Sequence, residues 1–210
     1  MANKPRFGDV LNEYGFAQLR SFMAAETVET LKAVLKPIIY EELEAPFAEY
    51  AVLKELILTP KFNDFISRHF DDFEVVRTAY SNHAFAQEAS KFNQQTNWQL
   101  ANQNLNAEWL NHSLVMQLHL DDVMIGNGPF KMLNKSHKAG FLPLSNFDIE
   151  PSGTETICQM KSGDVLVYHP LVLKKKLAIN GQNDRRIIEL WFCQNSYAKN
   201  LNSAEHYQLS

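Results

Sequence analysis

A histidine and an aspartate stand two positions apart at His119-Leu120-Asp121, near the middle of the chain. Joined by a second, distant histidine such as His169, a His-X-Asp pair can hold a divalent iron ion, because two imidazoles and one carboxylate leave coordination positions open. Gln117 stands two residues before His119 and shares its face of a strand. Three roles are open for His119: a shifted metal ligand, a polar wall of an internal cavity beside Gln117, or a structural hydrogen bond.

A second group of chemically active side chains is cationic. Lys174-Lys175-Lys176 is followed, after a short interval, by Arg185-Arg186. Side chains alternate along a strand, so Lys174 and Lys176 share a face that Lys175 does not, and at most one of the two arginines points inward. Two interpretations remain open for the lysines: Lys174 faces a pocket, or the whole run is a solvated charge cluster at a strand end.

These residues belong to a chain whose first 70 residues are predicted to be mainly helical. Thr27 is a candidate cap for a helix that continues to about residue 39, and Thr59-Pro60 is a cap followed by proline at the first helical position. Residues 15–20 are predicted to form a short strand. From about residue 72, short β-rich runs alternate with turn residues: 73–80, 113–120, 130–133, 156–160, 165–173 and 187–193.

Many short strands behind a helical segment predict an α+β fold. We expect a double-stranded β-helix, which is a jelly-roll, cupin-like barrel, with an N-terminal helical layer. The chain shows no internal repeat, low-complexity tract or linker. Residues 1–210 are therefore predicted to form a single domain.

Composition argues against several classes of function. A formal net charge of −4 offers no broad basic field for nucleic acid, and no apolar run approaches the roughly 20 residues that span a bilayer. The N-terminus lacks the apolar stretch of a secretory signal. Cys158 and Cys193 are isolated in apolar segments, which predicts two buried thiols in a reducing cytoplasm. We expect a cytoplasmic protein whose partner is a small-molecule metabolite.

Several short segments, each of which is a weak motif alone, occur one after another along the chain. They are Tyr14-Gly15-Phe16 with the helix that follows, Val75-Val76-Arg77, Thr96-Asn97-Trp98, Leu118-His119-Leu120-Asp121-Asp122, Asn127-Gly128-Pro129-Phe130, Ser136-His137-Lys138-Ala139-Gly140, Gly163-Asp164-Val165-Leu166-Val167, Pro170-Leu171-Val172-Leu173 and Arg185-Arg186-Ile187-Ile188. Over nearly the whole chain they resemble the phytanoyl-CoA dioxygenase family of Fe(II)/2-oxoglutarate-dependent oxygenases. The resemblance implies the jelly-roll fold and, for an ordinary member, iron and 2-oxoglutarate.

The resemblance also implies where the iron ligands should lie, and this chain carries other residues there. Where the family has His-Gln-Asp the sequence has Asn102-Gln103-Asn104, and where the distal histidine is expected it has Lys174. The interval from Lys174 to Arg185 matches the family's spacing from that histidine to the oxoglutarate-binding arginine, which favours Arg185 as the inward arginine. Amides bind iron weakly, and deprotonating an ordinary lysine at pH 7 costs about 4–5 kcal/mol. We therefore expect no metal and no cofactor.

The same register predicts a function. Two asparagines and a lysine ammonium carry the net positive charge that Fe²⁺ and one carboxylate would carry, so Lys174 and Arg185 form a candidate two-point clamp for an oxoacid. We predict a metal-free pseudo-oxygenase that binds a small, anionic metabolite. The predicted substrate-binding residues are Asn102, Asn104, Gln117 and Arg185.

A non-oxidative step such as a cyclisation, isomerisation or elimination is one use of this pocket, with Lys174 and His119 as the catalytic groups. A deprotonated Lys174 is also able to condense with a 2-oxo acid as a Schiff base. Two alternatives remain open: an active Fe(II)/2-oxoglutarate-type oxygenase with unconventional ligands, and a non-catalytic binding or partner subunit.

Overall fold

Two antiparallel β-sheets form the centre of the protein. The computed structural model describes residues 6–36, 42–44, 59–69, 73–82, 99–100, 103–104, 107–140, 153–180 and 183–198. The strands in these residues are β1 Phe16–Leu19, β2 Glu42–Glu44, β3 Phe73–Asn82, β4 Gln99–Leu100, β5 Gln103–Asn104, β6 Ser113–His119, β7 Phe130–Leu133, β8 Glu155–Cys158, β9 Val165–Tyr168, β10 Lys174–Lys176 and β11 Arg186–Gln194. The helices are α1 Phe7–Tyr14, α2 Ala25–Leu35, α3 Pro60–His69, α4 Ala107–Asn111 and α5 Asn195–Ala198, with a 3-10 helix at Ser136–Ala139.

The larger sheet has the strand order β1-β9-β6-β11-β3-β2, and the smaller sheet has the order β10-β7-β8. Strands β4 and β5 pair with each other. In the larger sheet each neighbouring pair is antiparallel, and β11 lies between β6 and β3. Strands far apart in the sequence are therefore neighbours, as in a jelly roll, and the predicted α+β jelly-roll fold is confirmed.

Alternation along β6 and β11 divides the core into two parts. Leu114, Met116 and Leu118 of β6 pack with Leu11 of α1 and with residues of α2 and α3 on the outer face of the larger sheet. The opposite positions of β6 and β11 pack with Met132 of β7 and Cys158 of β8, which belong to the smaller sheet. The space between the two sheets is therefore a second core, separate from the helical layer.

The predicted elements correspond closely to the observed ones, with two corrections. Helix α2 begins at Ala25, and its cap position is Ala24, which makes no side-chain bond, so the prediction of Thr27 as the cap is wrong. The helix starts earlier because Met23 N donates to Gly163 O at 2.9 Å and fixes the chain before it. Helix α3 does begin at the predicted proline, Pro60.

The second correction concerns the predicted strand at 165–173. Strand β9 ends at Tyr168, and a turn follows before β10 begins at Lys174. In this turn Val172 N donates to His169 O at 3.0 Å, and Pro170 has no amide hydrogen with which to extend a ladder. The turn moves the chain from the larger sheet to the smaller one. Among the described residues, no helix has the length and apolar character needed to cross a membrane.

Candidate functional site

Polar side chains occupy part of the core between the two sheets. Because β6 and β11 are antiparallel neighbours, Gln117 lies opposite Glu189 and His119 lies opposite Ile187. Residues directly opposite each other point to the same face of a sheet. Ile187 belongs to the core between the sheets, so the alternation places all four of these side chains there.

Glu189 is the centre of a hydrogen-bond network on this face. Gln117 Nε2 donates to Glu189 Oε2 at 2.7 Å, and Tyr168 Oη donates to the same oxygen at 3.3 Å. Trp191 Nε1 donates to the other oxygen, Glu189 Oε1, at 2.8 Å. Burial and the negative charge of Glu189 raise the pKa of Tyr168 well above its ordinary value, so its hydroxyl stays protonated. Neutral donors therefore hold this carboxylate in a fixed position.

Lys174 enters the same core from the smaller sheet. It pairs with Met132 in the β10–β7 ladder, its exposed fraction is 4%, and its Nζ lies 5.3 Å from the centre of the Tyr168 ring and 5.6 Å from that of Phe130. Burial lowers the pKa of Lys174 to about 8, against the opposing effect of Glu189. Deprotonation at pH 7 therefore costs about 1–2 kcal/mol, less than the value expected for an ordinary lysine.

Arg185 is the second cation of this core. It immediately precedes β11, its exposed fraction is 3%, and its Cζ lies 5.9 Å from the centre of the Phe130 ring. Its backbone N donates to Asn82 Oδ1 at 3.3 Å, and its side-chain Nε has no hydrogen-bond partner among the described residues. Burial lowers the pKa of Arg185 to about 10, which still leaves it charged at neutral pH, and Glu189 opposes this shift.

His119 is 1% exposed, and within the described part of the chain neither of its ring nitrogens has a hydrogen-bond partner. Its backbone is fixed by the turn before β9, where His119 N donates to Asp164 O at 3.1 Å and Gly163 N donates to His119 O at 2.8 Å. Burial, and then the charge of Arg185, lowers the pKa of His119 to about 3. His119 is therefore a neutral imidazole inside the core.

The structure thus brings Lys174, Arg185, His119 and Gln117 into one core. Asn102 lies outside the described residues. Asn104 ends β5, where its backbone pairs with Gln99.

Arg186 and Lys175 are next to Arg185 and Lys174 in the sequence, and their side chains lie on the opposite faces of their strands. Arg186 turns to the outer face, where its Nε and Nη2 donate to the two carboxylate oxygens of Asp121 at 2.8 Å each. Although burial by itself raises the pKa of Asp121, the hydrogen bonds from Arg186 lower it overall. Lys175 lies opposite Lys131 in the β10–β7 ladder and is only partly buried. Lys174 and Arg185 are thus the buried members of their pairs, Lys175 and Arg186 the more exposed ones, as strand alternation allows.

The described side chains do not fit an iron ion. No group of three histidine, cysteine, aspartate or glutamate residues within the described ranges is placed to hold a metal. The carboxylate of Asp121 is engaged by Arg186, and His169 accepts a hydrogen bond from Leu171 N at Nδ1 over 3.1 Å, so the shifted ligand set does not assemble here. At the distal-histidine position, Lys174 is a potential cation beside a second cation, Arg185.

Sequence reasoning did not identify Glu189, Tyr168 or Phe130 as parts of this site. Of the three, Glu189 was the easiest to predict from the sequence. It is a lone charged residue in the apolar run 187–193, and an even number of positions separates it from Arg185. An inward glutamate in such a strand requires partners, which the pairing with Gln117 provides. The aromatic residues gave no such indication, since their positions are ordinary core positions.

A cavity of about 330 Å³ lies elsewhere, on the outer face of the larger sheet. It is bounded by the segment before α2, by the start of α3 and by Leu118. Leu118 belongs to the helical side of the core, whereas Gln117 and His119 point to the other face of β6. This cavity is therefore separate from the polar site between the sheets.

Comparisons with known proteins agree with this architecture. Iron-bound HygX from Streptomyces hygroscopicus is similar with a TM-score of 0.68 and 15% sequence identity, over 88% of this chain and 84% of HygX. Iron-bound EctD from S. alaskensis is similar with a TM-score of 0.73 and 13% identity, over 90% of this chain and 75% of EctD. At such identities the likeness concerns the fold.

A third similar structure is SnoN, the non-heme alpha ketoglutarate dependent epimerase from nogalamycin biosynthesis, with a TM-score of 0.71 and 10% identity over 88% of this chain and 78% of SnoN. No curated protein sequence matches the chain significantly. The family model described as phytanoyl-CoA dioxygenase (PhyH) matches residues 11–187. With its jelly-roll sheets and this match over most of its length, the chain belongs to the phytanoyl-CoA dioxygenase (PhyH) family.

Proposed function

We propose that the core between the two sheets binds a small organic anion without a metal ion, and that Arg185 is its principal anchor. The observation behind this proposal is the buried guanidinium of Arg185, whose Nε has no hydrogen-bond partner among the described residues. A buried charge with an unused donor is costly unless a ligand or a counter-charge completes it. A carboxylate or similar oxoacid matches the planar donor geometry of a guanidinium.

The surrounding groups support an anion rather than a cation as the ligand. Two basic groups lie near the ring of Phe130: the amine of Lys174 and the guanidinium of Arg185. The oxygens of Glu189 already accept hydrogen bonds from Gln117, Tyr168 and Trp191. His119 and the free Oε1 of Gln117 are neutral polar groups that can orient the rest of the ligand. Asn102 and Asn104 are proposed to complete the binding site.

This proposal makes the protein a pseudo-oxygenase within its family. Where it catalyses a reaction, we propose a non-oxidative step such as an isomerisation, with Lys174 as the electrostatic stabiliser or proton carrier and His119 as a polar guide. SnoN, which has a similar fold, is an epimerase, although one that is alpha ketoglutarate dependent, and this supports only the view that the fold can host an isomerisation. Cys158 and Cys193 are buried thiols that are not joined in a disulfide, and this supports a reducing compartment such as the cytoplasm.

Two arginine variants test the proposal. Arg185→Gln should abolish the stabilisation of the chelator-treated protein by oxalate, acetate and 2-oxoglutarate, because the anchoring guanidinium is gone. Arg186→Gln is the matched control: it removes the ion pair with Asp121 on the outer face and lowers the free energy of unfolding by about 1–3 kcal/mol, but leaves anion binding intact. Thermal unfolding with and without each anion measures both effects. Equal anion stabilisation in the wild type and Arg185→Gln would contradict the proposal.

A further inference from the structure

Lys174 is a primary amine held inside the protein, and this gives it a chemistry beyond that of a fixed cation. The residue before it is fixed by two hydrogen bonds: Leu133 N donates to Leu173 O at 2.9 Å, and Leu173 N donates to Ser136 Oγ at 2.8 Å. The side chain lies against the rings of Phe130 and Tyr168. The amine is therefore directed to one place in the core.

A buried amine is a better nucleophile than an exposed one because the apolar surroundings disfavour its charged form. Burial lowers the pKa of Lys174 to about 8, so a substantial fraction of the amine is neutral in mildly alkaline solution. Arg185 stays charged beside the same phenylalanine ring. The amine of Lys174 and the guanidinium of Arg185 thus both lie near the Phe130 ring, in the core between the two sheets.

A proton donor lies in the same place. Tyr168 has its ring 5.3 Å from Lys174 Nζ, and its hydroxyl donates to Glu189 Oε2 at 3.3 Å. Because its pKa is raised well above the ordinary value by burial and by Glu189, the hydroxyl stays protonated at neutral pH. Addition of an amine to a carbonyl needs such a donor, because the carbonyl oxygen gains negative charge and then leaves as water.

We infer that Lys174 captures small aldehydes or ketones that also carry an acidic group, forming a Schiff base while Arg185 binds the acidic group. The inference rests on the proposed function, which supplies the anion site. The Nζ lone pair forms the C–N bond as the carbonyl π pair moves to oxygen, and one proton passes from the nitrogen to that oxygen to give a carbinolamine. The hydroxyl then leaves as water with a second proton, and a nitrogen lone pair closes the C=N bond. No oxidant or reductant is consumed.

Reductive trapping tests the inference on the full-length, chelator-treated protein. The protein is incubated with glyoxylate or pyruvate and sodium cyanoborohydride, and the adducts are located by peptide mass spectrometry. We expect one principal adduct, on Lys174. From pH 7 to pH 9 its yield should rise roughly tenfold and then level off, as the neutral fraction of an amine with a pKa of about 8 does. The yield at exposed lysines should keep rising.

Lysine variants provide the control. Lys175→Met alters the neighbouring, outward side of the same strand and should retain the adduct, whereas Lys174→Met should lose it. Adducts scattered over surface lysines, or none at Lys174, would overturn the inference. If acetate, which has no reactive carbonyl, stabilises the protein through Arg185 while glyoxylate forms no adduct, only the covalent step fails. If acetate, oxalate and 2-oxoglutarate also fail to stabilise the protein, the proposed function fails with it.

Discussion

At the scale of single residues, the interior of this protein carries charges that a structural core does not need. Lys174 and Arg185 are buried beside Phe130, and Glu189 is the carboxylate that acts on the pKa of both. Apolar residues of similar volume stabilise a core better than buried ions do. Sites that bind or react with ligands commonly retain such groups at the expense of stability.

Replacing Lys174 by methionine should therefore stabilise the protein. We expect Lys174→Met to raise the free energy of unfolding at pH 7 by about 2 kcal/mol, because it removes a buried amine and keeps a similar volume. Denaturant unfolding measures the change. Lys175→Met, on the partly exposed side of the strand, should change it by less than about 0.5 kcal/mol.

The difference in the free energy of unfolding between Lys174→Met and the wild type should depend on pH in one direction. The pKa of Lys174 is about 8 in the folded protein and 10.5 in its ordinary state, so between these values the unfolded chain binds more protons than the folded protein. The contribution of Lys174 to the free energy of unfolding of the wild type therefore becomes more favourable as the pH rises through that window. The advantage of Lys174→Met should shrink between pH 8 and pH 10. A constant advantage would show that the amine is not destabilised by burial.

Alternation explains which of these residues the sequence could identify. In each pair of neighbours, one side chain points to each face of the strand. The register of the strand in its sheet therefore decides that Lys174 and Arg185 point inward, whereas Lys175 and Arg186 do not. Glu189, Tyr168 and Phe130 come together from β11, β9 and β7, and no local pattern specifies that contact. The partners of Glu189 depend on the pairing of strands that are distant in the sequence.

At the scale of elements, the turns decide where the site residues lie. The turn at 169–173 transfers the chain between sheets and starts β10 at Lys174. It packs against Gly15, which ends α1 with a φ of 85°, and whose amide donates to Leu11 O at 2.7 Å. A β-carbon at Gly15 would lie 2.4 Å from His137 Nδ1 and 2.5 Å from Val172 Cγ2.

Gly15→Ala should therefore be strongly destabilising. A positive φ costs about 1–2 kcal/mol for a non-glycine residue, and the overlap with His137 and Val172 adds a similar amount, so we expect a loss of about 3 kcal/mol. Gly126→Ala is the control, because Gly126 has a φ of 91° but nothing within 4 Å of the added carbon. It should lose only about 1 kcal/mol. Equal losses in denaturant unfolding would show that the packing at Gly15 is unimportant.

Element bounds were predictable where the cause was local. Pro60 starts α3 as expected, and β7 has the predicted limits Phe130–Leu133. Thr27 was a reasonable cap by composition, yet α2 begins at Ala25 because the main chain of Met23 is bonded to Gly163, far away in the sequence. Such a tertiary bond leaves no trace in the local sequence.

At the scale of the whole molecule, two cores share one sheet, and the polar one contains neutral histidines. Burial lowers the pKa of His119 to about 3, and burial followed by the charge of His137 lowers that of His169 to about 4. Their ordinary pKa of 6.5 applies to the unfolded chain, so below pH 6.5 the unfolded chain binds protons that the folded protein excludes. Stability should fall steadily from pH 6.5 towards pH 4.

Thermal unfolding between pH 7 and pH 4 measures this loss, which should be on the order of 3 kcal/mol for each histidine. His119→Gln should flatten the profile because one excluded proton is removed. An unaltered profile in His119→Gln would mean that this imidazole is protonated in the folded protein.

The fold was more predictable than the site. Strand runs, turn residues and ordered motifs together indicated the jelly roll, because each strand carries its own alternation. The altered ligand chemistry that the register of the motifs predicts at Asn102, Asn104 and Lys174 stays a prediction. Which polar side chains lie in the core between the sheets depends on packing, and this became visible only in the structure.

The central claim is that the site binds a small organic anion without a metal. The most direct test is a calorimetric titration of the chelator-treated, full-length protein with oxalate, acetate and 2-oxoglutarate, repeated after Fe(II) is added. We predict saturable binding of at least one of these anions, with a Kd that Fe(II) changes by less than about twofold, a difference of under about 0.5 kcal/mol. Binding that appears only with Fe(II), or no binding of any of the three anions, would contradict the account.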